Sequence, residues 1–300
     1  MNKKICILFL SLLAVLSLSG CGKSNENVDN GKINVVVSFN PIAEFTKAVG
    51  GGKVQIYTVI PNGTEPHDFE IKAQDLKEIS KAEIFIYNGL GMEPWVDKTI
   101  SSIENKDLIK VKASDNCYLI KNTEADTIKE HGEYDPHTWL SLKNAKIEAL
   151  NIKDALIKAD PENKGYYESN YSKFASSMDS LYDEYKSKFD LVKNKNFVTG
   201  HGAFAYLCRD FGLMQGSVEN VFAEGEPTPK KLQELVDYCK KNNVKTIFME
   251  ELASPKVSQT LANEVNGNVK KIYTLESQED NKDYFDSMKD NLSEIYESLK

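Results

Sequence analysis

Arginine is almost absent from this chain. Of its 300 residues one is arginine, Arg209, and lysines supply the rest of the 37 basic side chains against 45 acidic ones, a net charge of −8. Nucleic-acid binding, which needs basic patches, is therefore disfavoured. An acidic field instead attracts cations. Cysteine is scarce too, five in all and none in a C-x-x-C pair, which excludes a disulfide framework and a thiolate zinc site. Cys117, Cys208 and Cys239 are far apart and read as buried apolar thiols. Beyond residue 18 no apolar run approaches the roughly 20 residues that span a bilayer. The metalloprotease pattern H-E-x-x-H and a phosphate-binding loop are both missing, so neither that hydrolase class nor ATP use is indicated. No internal repeat stands out.

What is there begins with a basic start, Met1-Asn-Lys-Lys4, an apolar stretch from Ile5 to Leu18, and Leu18-Ser-Gly-Cys21. That order marks a secretory signal peptide. The segment resembles the bacterial lipoprotein signal, and the resemblance makes Cys21 the lipidated first residue after cleavage, anchoring the protein at the extracytoplasmic face of the cell membrane. The polar residues that follow, to Gly31, bury too little to fold and read as a tether.

From Ile33 onward strands and helices alternate. Short β-branched runs at Ile33–Phe39, Val54–Ile60, Glu83–Tyr87 and, more weakly, Leu108–Val111 are separated by helical stretches at Ala43–Val49 and Ala73–Ala82. This alternation predicts βαβ units and a parallel sheet. Ser141 is placed to cap a helix reaching Asp160. A long helical run then starts at Pro161, with Tyr167, Tyr171, Phe174, Met178, Leu181, Tyr185 and Phe189 spaced by three or four residues in one apolar stripe. At ~1.5 Å per residue it would reach about 43 Å, enough to run along two lobes. Strands return at Phe197–Thr199, Lys245–Met249 and Val269–Tyr273, with helices at Pro229–Lys241 and Asp283–Leu299. The expected fold is α/β: two lobes, each a mostly parallel sheet flanked by helices, joined by one long rigid helix. The division reads 1–20 signal, 21–31 tether, 32–160 first lobe, 161–190 linker helix and 191–300 second lobe.

There are four histidines. His67 follows the second strand in Glu65-Pro-His-Asp-Phe-Glu70, His137 precedes a helix in Asp135-Pro-His-Thr-Trp-Leu140, and His201 follows a strand in Gly200-His-Gly-Ala-Phe204. All three lie in strand-end or helix-start loops, where open α/β sheets bind ligands. Imidazole suits zinc, copper, iron and nickel, so three from two lobes form a candidate metal site in the cleft between them.

These motifs, with Lys81-Ala-Glu-Ile-Phe-Ile-Tyr-Asn-Gly89, Glu93-Pro-Trp95 and Glu224-Gly-Glu-Pro-Thr-Pro229, resemble the metal-binding proteins of bacterial zinc and manganese ABC transporters over nearly all of 32–300. The resemblance implies that His67, His137 and His201 ligate Zn²⁺, the transported ion. It implies a fourth carboxylate ligand from the loop after the last strand, best matched by Glu276, with Glu279 and Asp280 as alternatives. It also implies delivery to an ABC permease driven by its ATPase, and a monomer that is not an enzyme. His131 falls where zinc members carry a longer His-rich loop; the plain reading is a solvent-exposed histidine. A manganese binder would more naturally show two carboxylates among its ligands. A zinc hydrolase would need an open coordination position for water, with Glu65 or Asp68 as base. A surface adhesin has no patch in the sequence to carry it. Gating is expected to be local, through the Glu276 loop and residues 122–134, and affinity to fall as pH drops toward ~6.5, where histidine ordinarily protonates.

Overall fold

The computed structural model describes residues 31–123, 125–223, 228–250 and 255–300. The chain divides into two units, Met1–Lys32 and Ile33–Lys300. All regular elements among the described residues lie in the second. The expected signal and the expected anchor at Cys21 fall outside the described residues.

Two four-stranded parallel sheets form the framework. The first comprises β1 (Ile33–Val37), β2 (Val54–Thr58), β3 (Ile84–Tyr87) and β4 (Ile109–Lys112), in the order β2-β1-β3-β4. The second comprises β5 (Asn196–Thr199), β6 (Met214–Ser217), β7 (Thr246–Met249) and β8 (Asn268–Lys271), in the same relative order, β6-β5-β7-β8. Parallel sheets are covered on both faces, so their central strands are nearly all apolar. β1, β3, β5 and β7 obey this, with Val35, Val37, Ile84, Phe85, Ile86, Val198, Ile247 and Phe248 buried. The edge strands are partly exposed and β4 and β8 carry lysines, which deter pairing with another sheet.

The helices start where local chemistry places them. α1 (Asn40–Gly50) begins earlier than the expected Ala43, because Pro41 sits in its first turn, where a missing N–H costs nothing. α2 (Ala73–Lys81), α3 (Val96–Ser102) and α4 (Ala125–His131) complete the first lobe up to residue 131. α5 (Leu142–Ala159) is capped as expected: the Ser141 hydroxyl accepts from the Asn144 N–H at 3.1 Å. A 3₁₀ turn at Pro161–Asn163 leads into α6 (Lys164–Leu191), the long helix, of 28 residues. Its stripe is consumed within the chain, since Tyr167, Met178, Leu181, Tyr185 and Phe189 are buried. α6 packs on α1 and α5 of the first lobe and on α7 (Ala205–Phe211) and α10 (Tyr284–Ser298) of the second. α8 (Pro229–Lys241), capped by Thr228, and α9 (Pro255–Glu264) cover the second sheet.

One hydrophobic core runs through both lobes, from Ile33 to Leu299, and a smaller one lies between the second sheet and α8 and α9. Hydrogen bonds also cross the cleft. The Trp139 indole donates to the Thr274 carbonyl at 2.8 Å, Tyr284 to the Trp139 carbonyl at 2.6 Å, and Tyr206 to the Asp135 carbonyl at 2.6 Å. All three are buried, where an unmade bond is costly. Cys117, Cys208 and Cys239 are free and buried.

Candidate metal centre

The carboxyl ends of both sheets face the cleft; His67, His201 and Glu276 follow strands there, and His137 lies in a loop that precedes a helix. His67 lies nine residues past β2, after Gly63, whose φ of +77° is open to glycine. His137 opens the 3₁₀ turn Thr138–Leu140. His201 is two residues past β5, and Glu276 is five past β8. β8 stops at Lys271 rather than the expected Tyr273, because Asn291 of α10 replaces the sheet as partner. Its side chain accepts from the Tyr273 N–H at 2.9 Å and donates to the Tyr273 carbonyl at 2.7 Å. The chain then turns through Leu275 at φ +68° and carries Glu276 inward.

The structure brings the three imidazoles together. One ring nitrogen of each of His67, His137 and His201 lies within 4.8 Å of the others, and a second such group joins Glu65, His67 and Glu276. The Nε2 atoms of His67 and His137 are 3.3 Å apart. Glu276 Oε1 is 3.4 Å from His137 Nε2 and 4.0 Å from His67 Nε2. Exposure is 8% at His67, 0% at His137, 3% at His201 and 4% at Glu276, so any charge gathered here is largely desolvated and needs a partner.

Three of the four groups are held from behind. Asp135 Oδ1 accepts from the His137 backbone N–H and meets His137 Nδ1, both at 2.9 Å, aiming Nε2 at the cluster. The Glu250 carboxylate accepts from the His201 N–H at 3.2 Å. His201 Nε2 meets the Val221 carbonyl at 2.8 Å; a carbonyl only accepts, so the proton is on Nε2 and the lone pair on Nδ1. Glu276 Oε2 accepts from the Thr274 hydroxyl at 2.8 Å, which leaves Oε1 facing His137.

Electrostatics sort the imidazoles. Burial, then the charge on His137, holds His67 and His201 below the ordinary histidine value. Burial presses on His137 too, but its hydrogen bonds to Asp135 and Glu276 prevail and lift it to about 9. Glu276 is likewise disfavoured as an anion by burial, yet the His137 hydrogen bond and the neighbouring imidazoles draw it down to about 2. Without metal the centre thus holds one buried His137–Glu276 ion pair and two neutral imidazoles. Glu65 is pushed up to about 7 by burial and then by Glu276.

The alternatives to Glu276 point elsewhere. Asp280 accepts from Tyr273 and Lys271, each at 2.8 Å, and is half-exposed; Glu279 pairs with Lys271 at 3.1 Å. His131 is not simply in solvent: it is half-buried, and its ring stacks on Phe222 at 3.9 Å. Sequence reasoning missed Asp135 and Glu250, the supports behind His137 and His201, and Phe222. Asp135 stood in the quoted motif two residues before the histidine, the one signal that could have found it.

Two lobes bridged by a long helix, with imidazoles from both meeting in a buried cleft, define a metal-binding protein of the solute-capture type. The sequence profile of the family described as zinc-uptake complex component A, periplasmic, matches residues 35–298, and the chain belongs to that family. It is 41% identical over 302 residues to a provisionally described metal-binding protein of Treponema pallidum (strain Nichols), covering 97% of this chain and 96% of the relative. It is 35% identical over 316 residues to the high-affinity zinc uptake system protein ZnuA of Bacillus subtilis (strain 168), covering 100% and 99%. Among solved structures, the laminin-binding protein Lmb of Streptococcus agalactiae, described as bifunctional with adhesin and metal-transporting activity, superposes with a TM-score of 0.81 at 34% identity, covering 90% of this chain and all of that one. The family is named for a component of uptake, a binding task and not a catalytic one.

Proposed function

We propose that the chain captures Zn²⁺ in the cleft, with His67, His137 and His201 as nitrogen ligands and Glu276 as the carboxylate, and hands it to the permease of an ABC uptake system powered by a separate ATPase. The observation that carries this is a length. In a tetrahedral zinc site with bonds of about 2.0–2.1 Å, ligand atoms sit about 3.3 Å from one another. The His67–His137 and His137–Glu276 separations are 3.3 and 3.4 Å. Three neutral nitrogens and one carboxylate suit zinc better than a harder ion. Metal would take the place of the proton that His137 and Glu276 share.

In this reading the protein is a monomer. The signal at 1–20 is removed, Cys21 carries the lipid that holds it at the extracytoplasmic face of the membrane, and 21–31 is the tether. The lobes at 32–160 and 191–300 each supply two ligands across the helix at 161–190. A closed shell of four protein ligands leaves no position for an activated water, which argues against hydrolysis.

One observation favours manganese as the cargo. Glu65 shares a group with His67 and Glu276, so a second carboxylate is at hand for a harder ion. Calorimetric titration with Zn²⁺ and with Mn²⁺ separates the two. The zinc reading expects one tight Zn²⁺ per chain, Mn²⁺ at least a hundredfold weaker, and loss of tight binding in His201→Ala. Tighter Mn²⁺, or a His201→Ala variant that binds zinc unchanged, overturns it.

A further inference from the structure

One short segment of the second lobe, residues 220–223, touches two of the three cluster histidines. The Val221 carbonyl meets His201 Nε2 at 2.8 Å, and the Phe222 ring stands edge-on to His67 with centroids 5.0 Å apart. On its other side the same ring stacks on His131 of α4, at 3.9 Å and 16° between planes. His67, Phe222 and His131 therefore form a column from the cluster outward: Phe222 is 1% exposed, and His131 is half-buried.

The segment is built to lie close. Asn220 accepts from the Gly202 N–H at 3.2 Å through its carbonyl and from the Phe222 N–H at 2.9 Å through its side chain. A Cβ on Gly202 would stand 3.1 Å from the Asn220 carbonyl carbon and oxygen, so a larger residue would press the segment outward. Ala223 closes it at φ +53°, a left-handed conformation uncommon for alanine. The Phe222 side chain has no atom able to ligate a metal, yet it fills the layer between the cluster and a ring that reaches the surface.

We propose that Phe222 is the barrier to exchange of the bound ion: its ring must leave the space between His67 and His131 for the cation to enter or depart. The inference rests on the zinc-capture reading above. An apolar plug that ligates nothing contributes to the energy of the closed centre alike with and without cargo. Its removal should therefore change entry and exit rates together and leave their ratio alone. A residue that merely props His67 in position would instead act through exit, and so through affinity.

The test is stopped-flow exchange on the full chain, with Zn²⁺ binding followed directly and release followed into an excess of a chromogenic zinc chelator, beside an equilibrium titration. Phe222→Ala should raise both rate constants roughly three- to tenfold, the scale of a lost aromatic contact, with Kd within threefold of wild type. Phe222→Leu, which keeps most of the bulk and folds if the alanine variant does not, should fall between. His131→Ala, which strips the outer face of the stack, should speed both rates by less than Phe222→Ala. Unchanged rates in Phe222→Leu and His131→Ala overturn the barrier and direct the ion past Glu65 instead. Faster release with unchanged entry also overturns it and makes Phe222 a support for His67. Wild-type protein that holds no zinc at equilibrium overturns the capture reading and this inference with it; wild type that binds while the variants exchange at its own rates overturns the barrier alone.

Discussion

Asp135 holds both the backbone N–H and the Nδ1 edge of His137 with a single carboxylate oxygen, each contact 2.9 Å. That clamp fixes which nitrogen faces the cleft and raises its basicity. In Asp135→Asn the oxygen can still accept, but the charge that stabilises the imidazole is gone. Zinc affinity should fall roughly 10- to 100-fold, the usual cost of removing such a support, as read by competition with a chelator of known affinity. Wild-type affinity in this variant would remove the clamp from the account.

Loading should expel a proton. His137, lifted to about 9, is protonated at pH 7 in the metal-free centre, and a metal binds only the neutral ring. Zinc titrated at pH 7 in buffers of different ionisation heat should release about one proton per ion. Apparent affinity should rise about tenfold per pH unit toward 9 and then level. His67 and His201, both held below the ordinary histidine value, contribute only in acid. The fall in affinity expected as pH drops toward ~6.5 should thus begin already below about 9. Buffer-independent heats at pH 7 would contradict this.

Glu148 of α5 is fully buried, neither carboxylate oxygen has a hydrogen-bond partner, and burial pushes it up to about 8. Because its folded value is above its unfolded one, the neutral acid is tolerated below about 4.5 and stability is lost as pH rises from there through about 8. Glu148→Gln removes that titration. Measured by urea unfolding, the variant should gain on wild type between pH 5 and pH 9, by an amount on the order of 1 kcal/mol or more. A difference that does not vary with pH would count against it.

Ser141 caps α5, and its hydroxyl also donates to the buried Asp210 of α7, tying the two lobes. Ser141→Ala should cost about 1–2 kcal/mol through the cap, with more from the abandoned carboxylate. A thermal melt reads the loss. Zinc stoichiometry should stay at one per chain.

Much of this was legible in the sequence, for physical reasons that differ by element. β1, β3 and β7 announce themselves as apolar β-branched runs because both their faces are covered. The start of α8 is visible because Thr and Pro, here Thr228 and Pro229, are favoured at the cap and the first helical position. β6, Met-Gln-Gly-Ser, carries no pattern, because an edge strand takes its register from β5 rather than from its own residues. α4, Ala125–His131, lacks an apolar stripe and so carries no helical signal. The three histidines could be grouped because strand-end and helix-start loops share one side of each sheet. The choice among Glu276, Glu279 and Asp280 could not be made, since it depends on where Asn291 releases the chain and on Lys271 and Tyr273 engaging the other two. Phe222 had no signal at all: its role comes from what two other loops place beside it.

The central claim concerns one coordination shell. X-ray absorption at the zinc edge of the loaded protein should give four light ligands at about 2.0–2.1 Å with the outer-shell scattering of three imidazoles. A sulfur distance near 2.3 Å, or scattering from fewer than three imidazoles, would contradict it.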